Sequence, residues 1–332
     1  MDMKLFALNS AKEWGEKIAA HLGIELASHE ETDFEDGEHK IRSLDNVRGQ
    51  QVFILQTLIS DGKLTVNDKL CRLLFFIASL RDASAAKITV LLPYFAYARK
   101  DRRTKARDPV TMRYMAQLFE AVGTDRIVSM DVHNLAAFQN AFRVPTENLE
   151  ARVIFASYLA KRLNNEDLVV VSPDAGGTKR AEQLQETLSQ LLQREVTKAF
   201  LDKKRSSGLV ETSEYIVGEV KNRVAIIIDD IISSGTTMRL AVEALHKQGA
   251  KTILACATHG LFVGHANQLL ATDYLEKIII TDTLPPFRLH ESLLKKIELL
   301  DATMLFAEAI KRIYENGSVV ELMERYPFDF AS

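Results

Sequence analysis

Eight short apolar runs are spread along the chain, and helical patterns lie between several of them. The runs are continuous rather than alternating, which is typical of strands covered on both faces. They read QVFILQT, KITVLLPYF, DRIVSMDVH, DLVVVSPDAGG, TKAFLDKK, RVAIIIDD, KTILACATHG and KIIITDT. Segments such as TMRYMAQLFEAVG and TKRAEQLQETLSQLL instead repeat apolar residues at helical spacing. The pattern predicts an α/β protein whose sheets are mostly parallel and flanked by helices.

The stretch VPTENLE, which ends at Glu150, separates two blocks with the same order of strand, polar turn and helix. We therefore predict two similar domains, residues 1–150 and residues 151–332, although no residue-level repeat is evident. Residues 302–316 have the pattern of an amphipathic helix that ends at Gly317. The sequence leaves open which domain this tail helix packs on, and packing back on the N-terminal domain is one arrangement.

Composition narrows the choice of partner and compartment. The 332 residues carry a formal net charge of -3, so the chain has no overall attraction to nucleic acid or to anionic membranes. It shows no signal-peptide pattern and no uncharged apolar run of about 18 residues. We expect a cytoplasmic protein without a nucleic-acid or membrane partner. Cys71 and Cys256 lie in apolar stretches, which predicts two buried, reduced thiols.

The stretch AIIIDDIISSGTTM carries the most chemistry. A buried strand ends in Asp229 and Asp230, and a small-residue loop around Gly235 opens the next helix. Free amides at such a helix start bind phosphate well, whereas two carboxylates repel a bare phosphate unless they hold sugar hydroxyls or a metal. A phosphorylated sugar fits both features, since its phosphate can bind the amides and its hydroxyls can bind the carboxylates. The plain structural alternative is a strand end followed by a turn and a helix cap.

This strand, acidic pair and loop resemble the phosphoribosyl-binding loop of type I phosphoribosyltransferase folds. Together with other stretches, they resemble the ribose-phosphate pyrophosphokinase family from KLFALNS to FAEAIKRIYE. Those stretches are DFEDGEHKI, PYFAYARKDRRTKARDP, SMDVHN with SPDAGGTKRA, and AFLDKKRSSGLVE. On chemistry alone they have plainer interpretations: a surface turn, a solvated or nucleic-acid-binding charge run, hydrogen-bonded strand ends and a basic loop.

The resemblance implies transfer of the β,γ-pyrophosphoryl group of Mg-ATP to the C1 hydroxyl of ribose 5-phosphate, which gives 5-phosphoribosyl 1-pyrophosphate and AMP for nucleotide biosynthesis. It implies ATP-side elements in the N-terminal domain and a phosphoribosyltransferase-like C-terminal domain. The implied ATP contacts are Phe34, Asp36, Glu38, Arg99, Lys100 and His133. The implied ribose 5-phosphate contacts are Asp229, Asp230, Ser233, Ser234, Gly235, Thr236 and Thr237.

The resemblance also assigns a metal, a catalytic loop and an assembly. It implies Mg²⁺ at His133 and Asp174, and catalysis by Lys203 and Arg205 of the basic loop. It implies self-association to a homo-oligomer, a dimer or a hexamer. The two residues Lys179 and Arg180 are interpreted as the exposed face of the next helix, since a charge pair there needs no ligand.

Three departures from the family pattern are visible. Lys100 stands where the family has Gln, and SSGTT replaces the commoner D-T-A-G-T of the sugar-phosphate loop. At a regulatory site where the family has serines, this chain has Asp301 nearby and Asn46. Because a carboxylate repels phosphate, we hypothesise weak or absent activation by inorganic phosphate.

Two other functions remain open. A phosphoribosyltransferase that consumes the same product would explain the DDIISSGTT loop but not the N-terminal stretches. A non-catalytic regulatory homologue of the synthetase is the second alternative, and the presence of His133, Asp174, Lys203 and Arg205 argues against it.

Overall fold

The computed structural model describes residues 3–203 and 214–324. Within these residues the strands are β1 (Met3–Ala7), β2 (His29–Asp33), β3 (His39–Ser43), β4 (Gln51–Leu55), β5 (Lys87–Leu92), β6 (Arg126–Met130), β7 (Thr146–Leu149), β8 (Leu168–Ser172), β9 (Thr197–Lys203), β10 (Glu214–Val217), β11 (Val224–Ile232), β12 (Thr252–Gly260), β13 (Lys277–Thr281) and β14 (Ile297–Leu300). The α-helices are α1 (Lys12–Leu22), α2 (Val66–Asp82), α3 (Thr111–Ala121), α4 (Leu135–Ala141), α5 (Arg152–Arg162), α6 (Thr178–Leu192), α7 (Thr236–Lys247), α8 (Ala266–Leu269), α9 (Glu291–Leu294), α10 (Thr303–Tyr314) and α11 (Val319–Glu324).

The chain divides into two compact units. Unit 1 contains residues 3–150 and 303–324, and unit 2 contains residues 151–302. The tail helix α10 belongs to unit 1, where it packs on α1. The Trp14 and Phe306 rings meet edge to face there, with centroids 5.0 Å apart. The N-terminal unit therefore includes chain from both ends of the described sequence.

Unit 1 is built on a five-stranded parallel sheet with the order β1-β4-β5-β6-β7. Its central strands are apolar and buried, as continuous runs predict. The antiparallel hairpin β2–β3 forms a separate two-stranded sheet. Its strands HEETD and HKIRS are mostly polar, so the search for apolar runs did not predict them.

Unit 2 is built on a seven-stranded sheet with the order β10-β9-β8-β11-β12-β13-β14, parallel except for the β9–β10 pair. The prediction of mostly parallel sheets flanked by helices is confirmed. Strand β11 extends past the acidic pair, because Ile231 and Ile232 pair with His259 and Gly260 of β12. The predicted helix TKRAEQLQETLSQLL is α6.

The two cysteines differ in exposure. Cys256 is fully buried on β12, and burial raises the pKa of its thiol. The prediction was wrong for Cys71, which is exposed on α2. That helix buries its neighbours Leu70, Leu73 and Leu74, and the helical period turns Cys71 away from this apolar stripe. No helix among the described residues is long and apolar enough to cross a membrane.

Candidate active site

Strand β11 carries the acidic pair at the centre of the unit 2 sheet, between β8 and β12. The Asp230 residue is 5% exposed and the Asp229 side chain is 17% exposed. The Asp229 carboxylate accepts a hydrogen bond from the backbone amide of Asp230, with a distance of 2.8 Å. The strand therefore holds two neighbouring carboxylates away from most solvent.

Arg180 of α6 is a cation that lies beside this pair. Its Nη1 atom lies 3.5 Å from Oδ1 of Asp229 and 3.5 Å from Oδ1 of Asp230. Burial and the Asp230 charge nevertheless raise the pKa of Asp229 to about 8. Because the raised pKa shows that the ionised Asp229 is incompletely compensated, sugar hydroxyls or a cation would stabilise its ionised form.

The loop after β11 is shaped for close approach to an anion. Gly235 has a φ of 84°, a left-handed conformation that favours glycine, and a Cβ there would lie 3.1 Å from Leu270 Cγ, closer than most such contacts. Helix α7 begins directly after it, with no side-chain cap on its first amides. Ser234 and Thr236 join their hydroxyls at 3.0 Å. Ser233, Ser234, Gly235, Thr236 and Thr237 thus form one turn at the start of a helix, a suitable phosphate site.

Asp174 lies in the loop after β8, at the same edge of the sheet as the end of β11. Its Oδ1 accepts a hydrogen bond from the amide of Gly177 at 2.9 Å. A Cβ on Gly177 would lie 3.7 Å from this Oδ1, 3.9 Å from Arg180 Nη1 and only 2.8 Å from Ser172 Oγ. Asp174, Arg180 and the acidic pair therefore border one small region, and Gly177 allows the loop to fold tightly beside it.

The sequence interpretation of Arg180 as an exposed helix face was wrong, because the structure turns its side chain towards β11. Lys179 is exposed, as predicted. The signal that was available is position: Arg180 lies in the first turn of a helix that follows a strand end, where side chains can reach the neighbouring strand end. Lys203 is the last residue of β9, and its side chain and all of Arg205 lie outside the described residues.

In unit 1, the proposed adenine contacts lie at the tip of the β2–β3 hairpin. The amide of Phe34 donates to the Glu38 carbonyl at 2.9 Å, and the Gly37 amide donates to the Phe34 carbonyl at 3.1 Å. The Asp36 carboxylate accepts from the Glu38 amide at 3.0 Å. The Phe34 side chain is 49% exposed, so the turn presents an aromatic ring and two carboxylates to its surroundings.

The basic loop and His133 follow two neighbouring strands, β5 and β6. The loop holds six exposed Lys or Arg residues between 99 and 108, among them Arg99 and Lys100. Lys100 lies 3.6 Å from Asp108. Asn134 Nδ2 donates to Asp101 at 2.6 Å, which ties this loop to the residue after His133. The structure thus brings Arg99, Lys100 and His133 to one edge of the sheet.

The donor set for a metal is sparse. Among residues 3–203 and 214–324, no group of three or more His, Cys, Asp or Glu side chains is arranged to hold a metal ion. Mg²⁺ commonly takes one or two protein carboxylates and fills its other positions with water and substrate phosphates. Asp229, whose raised pKa marks an incompletely compensated carboxylate, borders the same region as Asp174 and fits a cation of this kind.

Comparison with known proteins assigns the chain to a family. Profiles described as the N-terminal domain of ribose phosphate pyrophosphokinase and as a phosphoribosyl synthetase-associated domain match residues 3–123 and 199–324. A ribose-phosphate pyrophosphokinase of Caldanaerobacter subterraneus subsp. tengcongensis is 40% identical over 96% of this chain and 97% of that protein. The chain belongs to the ribose-phosphate pyrophosphokinase family.

Two further relatives agree with this assignment. The ribose-phosphate pyrophosphokinase 1 of Listeria monocytogenes is 37% identical, over 97% of this chain and 97% of that protein. The crystal structure of phosphoribosylpyrophosphate synthetase from Mycobacterium smegmatis has a TM-score of 0.85 at 33% identity, and the match covers 96% of this chain and 100% of that one. The resemblance to the ribose-phosphate pyrophosphokinase family predicted from sequence is confirmed.

Proposed function

We propose that the chain transfers the β,γ-pyrophosphoryl group of Mg-ATP to the C1 hydroxyl of ribose 5-phosphate, giving 5-phosphoribosyl 1-pyrophosphate and AMP for nucleotide biosynthesis. The observation that carries this proposal is the strand, acidic pair and glycine turn of β11 and α7, in a chain similar to ribose-phosphate pyrophosphokinases over 96% of its length. A phosphoribosyltransferase would need this turn but not the nucleotide elements of unit 1, where the N-terminal profile matches.

The sugar half is assigned to unit 2. The turn of Ser233, Ser234, Gly235, Thr236 and Thr237 binds the 5-phosphate, since its amides and hydroxyls are donors at a helix start. Asp229 and Asp230 accept hydrogen bonds from the sugar hydroxyls. Those donors provide the compensation that Arg180 provides only in part.

The nucleotide half is assigned to unit 1. Phe34 stacks on the adenine, Asp36 and Glu38 accept from its polar edge, and Arg99 and Lys100 bind the phosphates. For Mg²⁺, the family resemblance implies His133 of this unit and Asp174 of unit 2 as the residues that would hold the ion, and the ion would neutralise charge on the phosphates of ATP. The exposure of the Phe34 ring at 49% supports a role in stacking.

The transfer step needs no covalent intermediate. The C1 oxygen of the sugar bonds to the β-phosphorus, the bond from that phosphorus to the α,β-bridging oxygen breaks, and the hydroxyl proton is released. AMP leaves with the bridging oxygen. Catalysis comes from positioning and from positive charge on the equatorial and leaving oxygens, which we assign to Lys203 and Arg205. We place the reaction in the cytoplasm of the cell and assign it to a homo-oligomer, a dimer or a hexamer.

The test is a coupled assay of AMP release from Mg-ATP, with and without ribose 5-phosphate. We expect AMP only when the sugar is present. Binding of 5-phosphoribosyl 1-pyrophosphate without any AMP release would instead support a phosphoribosyltransferase or a non-catalytic homologue of the synthetase.

A further inference from the structure

The β2–β3 hairpin is held on unit 1 by side chains: Ile41 is buried in the core of the unit, and the His39 ring stacks on Phe75 of α2. It forms its own two-stranded sheet, separate from the five-stranded sheet of unit 1, and an isolated two-stranded hairpin is only marginally stable in water. Its direction must therefore be set by side chains that reach it from the rest of unit 1. Phe34 directly follows β2, so a change in the direction of β2 would also change the position of Phe34.

Arg72 of α2 is the side chain that spans the hairpin strand. Its Nη1 atom donates to Glu31 at 2.8 Å, and its Nη2 atom donates to Asp33. Glu31 and Asp33 are two residues apart on β2, so both lie on the same face of the strand. The planar guanidinium places Nη1 and Nη2 so that each contacts one of the two carboxylates, whereas a lysine has only one ammonium group for both.

The inner half of this contact is rigidly held. The side chains of Arg72 and Glu31 are 5% and 4% exposed. Glu31 also accepts from the Asn9 amide at 2.7 Å and pairs with His29 at 3.0 Å. Burial raises the pKa of Glu31, but these hydrogen bonds and the Arg72 charge outweigh burial and lower it. The contact of Nη1 with Glu31 thus fixes the Arg72 side chain, and its Nη2 atom is held in place to contact Asp33.

The outer half of the contact is different. The Asp33 side chain is 69% exposed, and the backbone of Asp33 is the last of β2, paired with His39 across the hairpin. An exposed ion pair adds little to global stability. Its position suits another purpose, because it joins the last residue before Phe34 to a buried anchor.

We propose that Arg72 is a positioning residue for nucleotide binding: through Glu31 and Asp33 it fixes the end of β2 and so the direction in which Phe34 and the turn are presented. This inference rests on the proposed role of the hairpin tip in ATP binding. It assigns a function in the reaction to a residue that touches neither substrate.

The primary variant is Asp33→Asn, because it removes the charge from the outer contact and leaves at most a neutral hydrogen bond there, while Arg72 keeps its buried partner Glu31. The matched control is Glu30→Gln. Glu30 pairs with Arg42 at 2.6 Å on the other face of the same hairpin, and that pair is exposed. We expect Asp33→Asn to raise the KM for Mg-ATP about fivefold, which corresponds to about 1 kcal/mol. We expect the same variant to keep the wild-type KM for ribose 5-phosphate and the wild-type melting temperature. The Glu30→Gln enzyme should keep the wild-type KM for Mg-ATP.

A double-mutant cycle tests the route through Asp33. Arg72→Lys keeps the charge but loses the two-ended span, so Arg72→Lys and Asp33→Asn combined should raise the KM for Mg-ATP no further than Asp33→Asn alone. Additive effects, equal changes in both KM values, or equal effects of Asp33→Asn and Glu30→Gln would overturn the proposal.

Calorimetric titration with Mg-ATP repeats the comparison without turnover. If the wild-type protein binds Mg-ATP but forms no AMP with ribose 5-phosphate, the proposed function fails, and the loss of affinity in Asp33→Asn still decides the role of Arg72. An unchanged Kd in that variant would refute the positioning role.

Discussion

The cluster around the buried Glu31 in unit 1 and the cluster around Asp229 and Asp230 in unit 2 contain carboxylates that are compensated to different degrees. In unit 1, Glu31 has the Arg72 guanidinium at 2.8 Å and the Asn9 amide at 2.7 Å, and the pKa of Glu31 is lowered. In unit 2, Asp229 has the Arg180 guanidinium at 3.5 Å and the Asp230 carboxylate beside it, and the pKa of Asp229 is raised to about 8.

The opposite pKa shifts indicate that Glu31 stabilises the folded chain, whereas ionised Asp229 would be stabilised by a bound ligand. A fully compensated buried charge stabilises one arrangement of the chain, whereas a group with a raised pKa destabilises the ligand-free protein when it is ionised. Such groups cluster at functional sites. The contrast predicts that neutralising the two clusters changes stability in opposite directions.

The largest expected effect lies in neither cluster and concerns the transfer step itself. Lys203→Ala should leave folding intact and lower kcat by on the order of 10³-fold, by analogy with cationic groups that stabilise phosphoryl transfer. Circular dichroism and the AMP-release assay measure both properties. Lys198→Ala on the same strand is the matched control, since Lys198 is exposed and pairs with Glu182. Near-normal turnover of the Lys203 variant would remove Lys203 from the mechanism.

Asp229→Asn should weaken catalysis and strengthen the fold. Loss of a charged acceptor for the sugar hydroxyl should lower kcat/KM for ribose 5-phosphate by roughly 10²-fold. The same change relieves a buried, poorly compensated charge, so at pH 8 the free energy of unfolding should rise by on the order of a few kcal/mol. Denaturant unfolding without ligands measures the gain.

The sign of this gain depends on pH. The pKa of Asp229 is raised from an ordinary 3.8 to about 8 in the folded protein, so the folded protein keeps a proton that the unfolded chain releases. The stability of the wild type therefore falls as pH rises through this window. The advantage of Asp229→Asn should vanish near pH 4 and grow towards pH 8. A variant that is less stable than wild type at pH 8 would contradict the comparison.

Glu31→Gln should change stability in the opposite direction. It removes a compensated carboxylate and should lower the free energy of unfolding at pH 7 by about 1–3 kcal/mol. Because the pKa of Glu31 is lowered from an ordinary 4.5, its contribution is present above that pH and is lost as pH falls through the folded pKa. The loss in the variant should shrink in acid. An increase in stability at pH 7 would break the contrast between the two clusters.

The smallest expected effect concerns inorganic phosphate. Asp301 is exposed, and it adds negative charge near a position where the family resemblance implies a phosphate-binding serine. Rates in phosphate-free and phosphate buffers should agree within about twofold, which corresponds to a free-energy difference below about 1 kcal/mol. A steep phosphate requirement would refute this hypothesis, and Asp301→Ser is the variant expected to increase the response.

The sequence predicted the eight strands β4, β5, β6, β8, β9, β11, β12 and β13, because buried strands leave continuous apolar runs, but it missed β1, β7, β10 and β14. It did not predict β2 and β3, whose polar residues carry no such signal. Nor did it assign Arg72 or Arg180. The partners of Arg72 lie 41 and 39 positions away, and local periodicity cannot say which strand end a helical arginine faces. The acidic pair and the glycine turn were predicted because they are contiguous in the chain.

The most direct test of the reaction follows the β-phosphorus of ATP. The wild-type enzyme is incubated with Mg-ATP labelled at that phosphorus and with ribose 5-phosphate, and the products are separated. We expect label in a pyrophosphorylated sugar and none in the nucleotide product, AMP. Label that stays on the nucleotide as ADP would mean transfer of the γ-phosphoryl group alone and would contradict the proposed reaction.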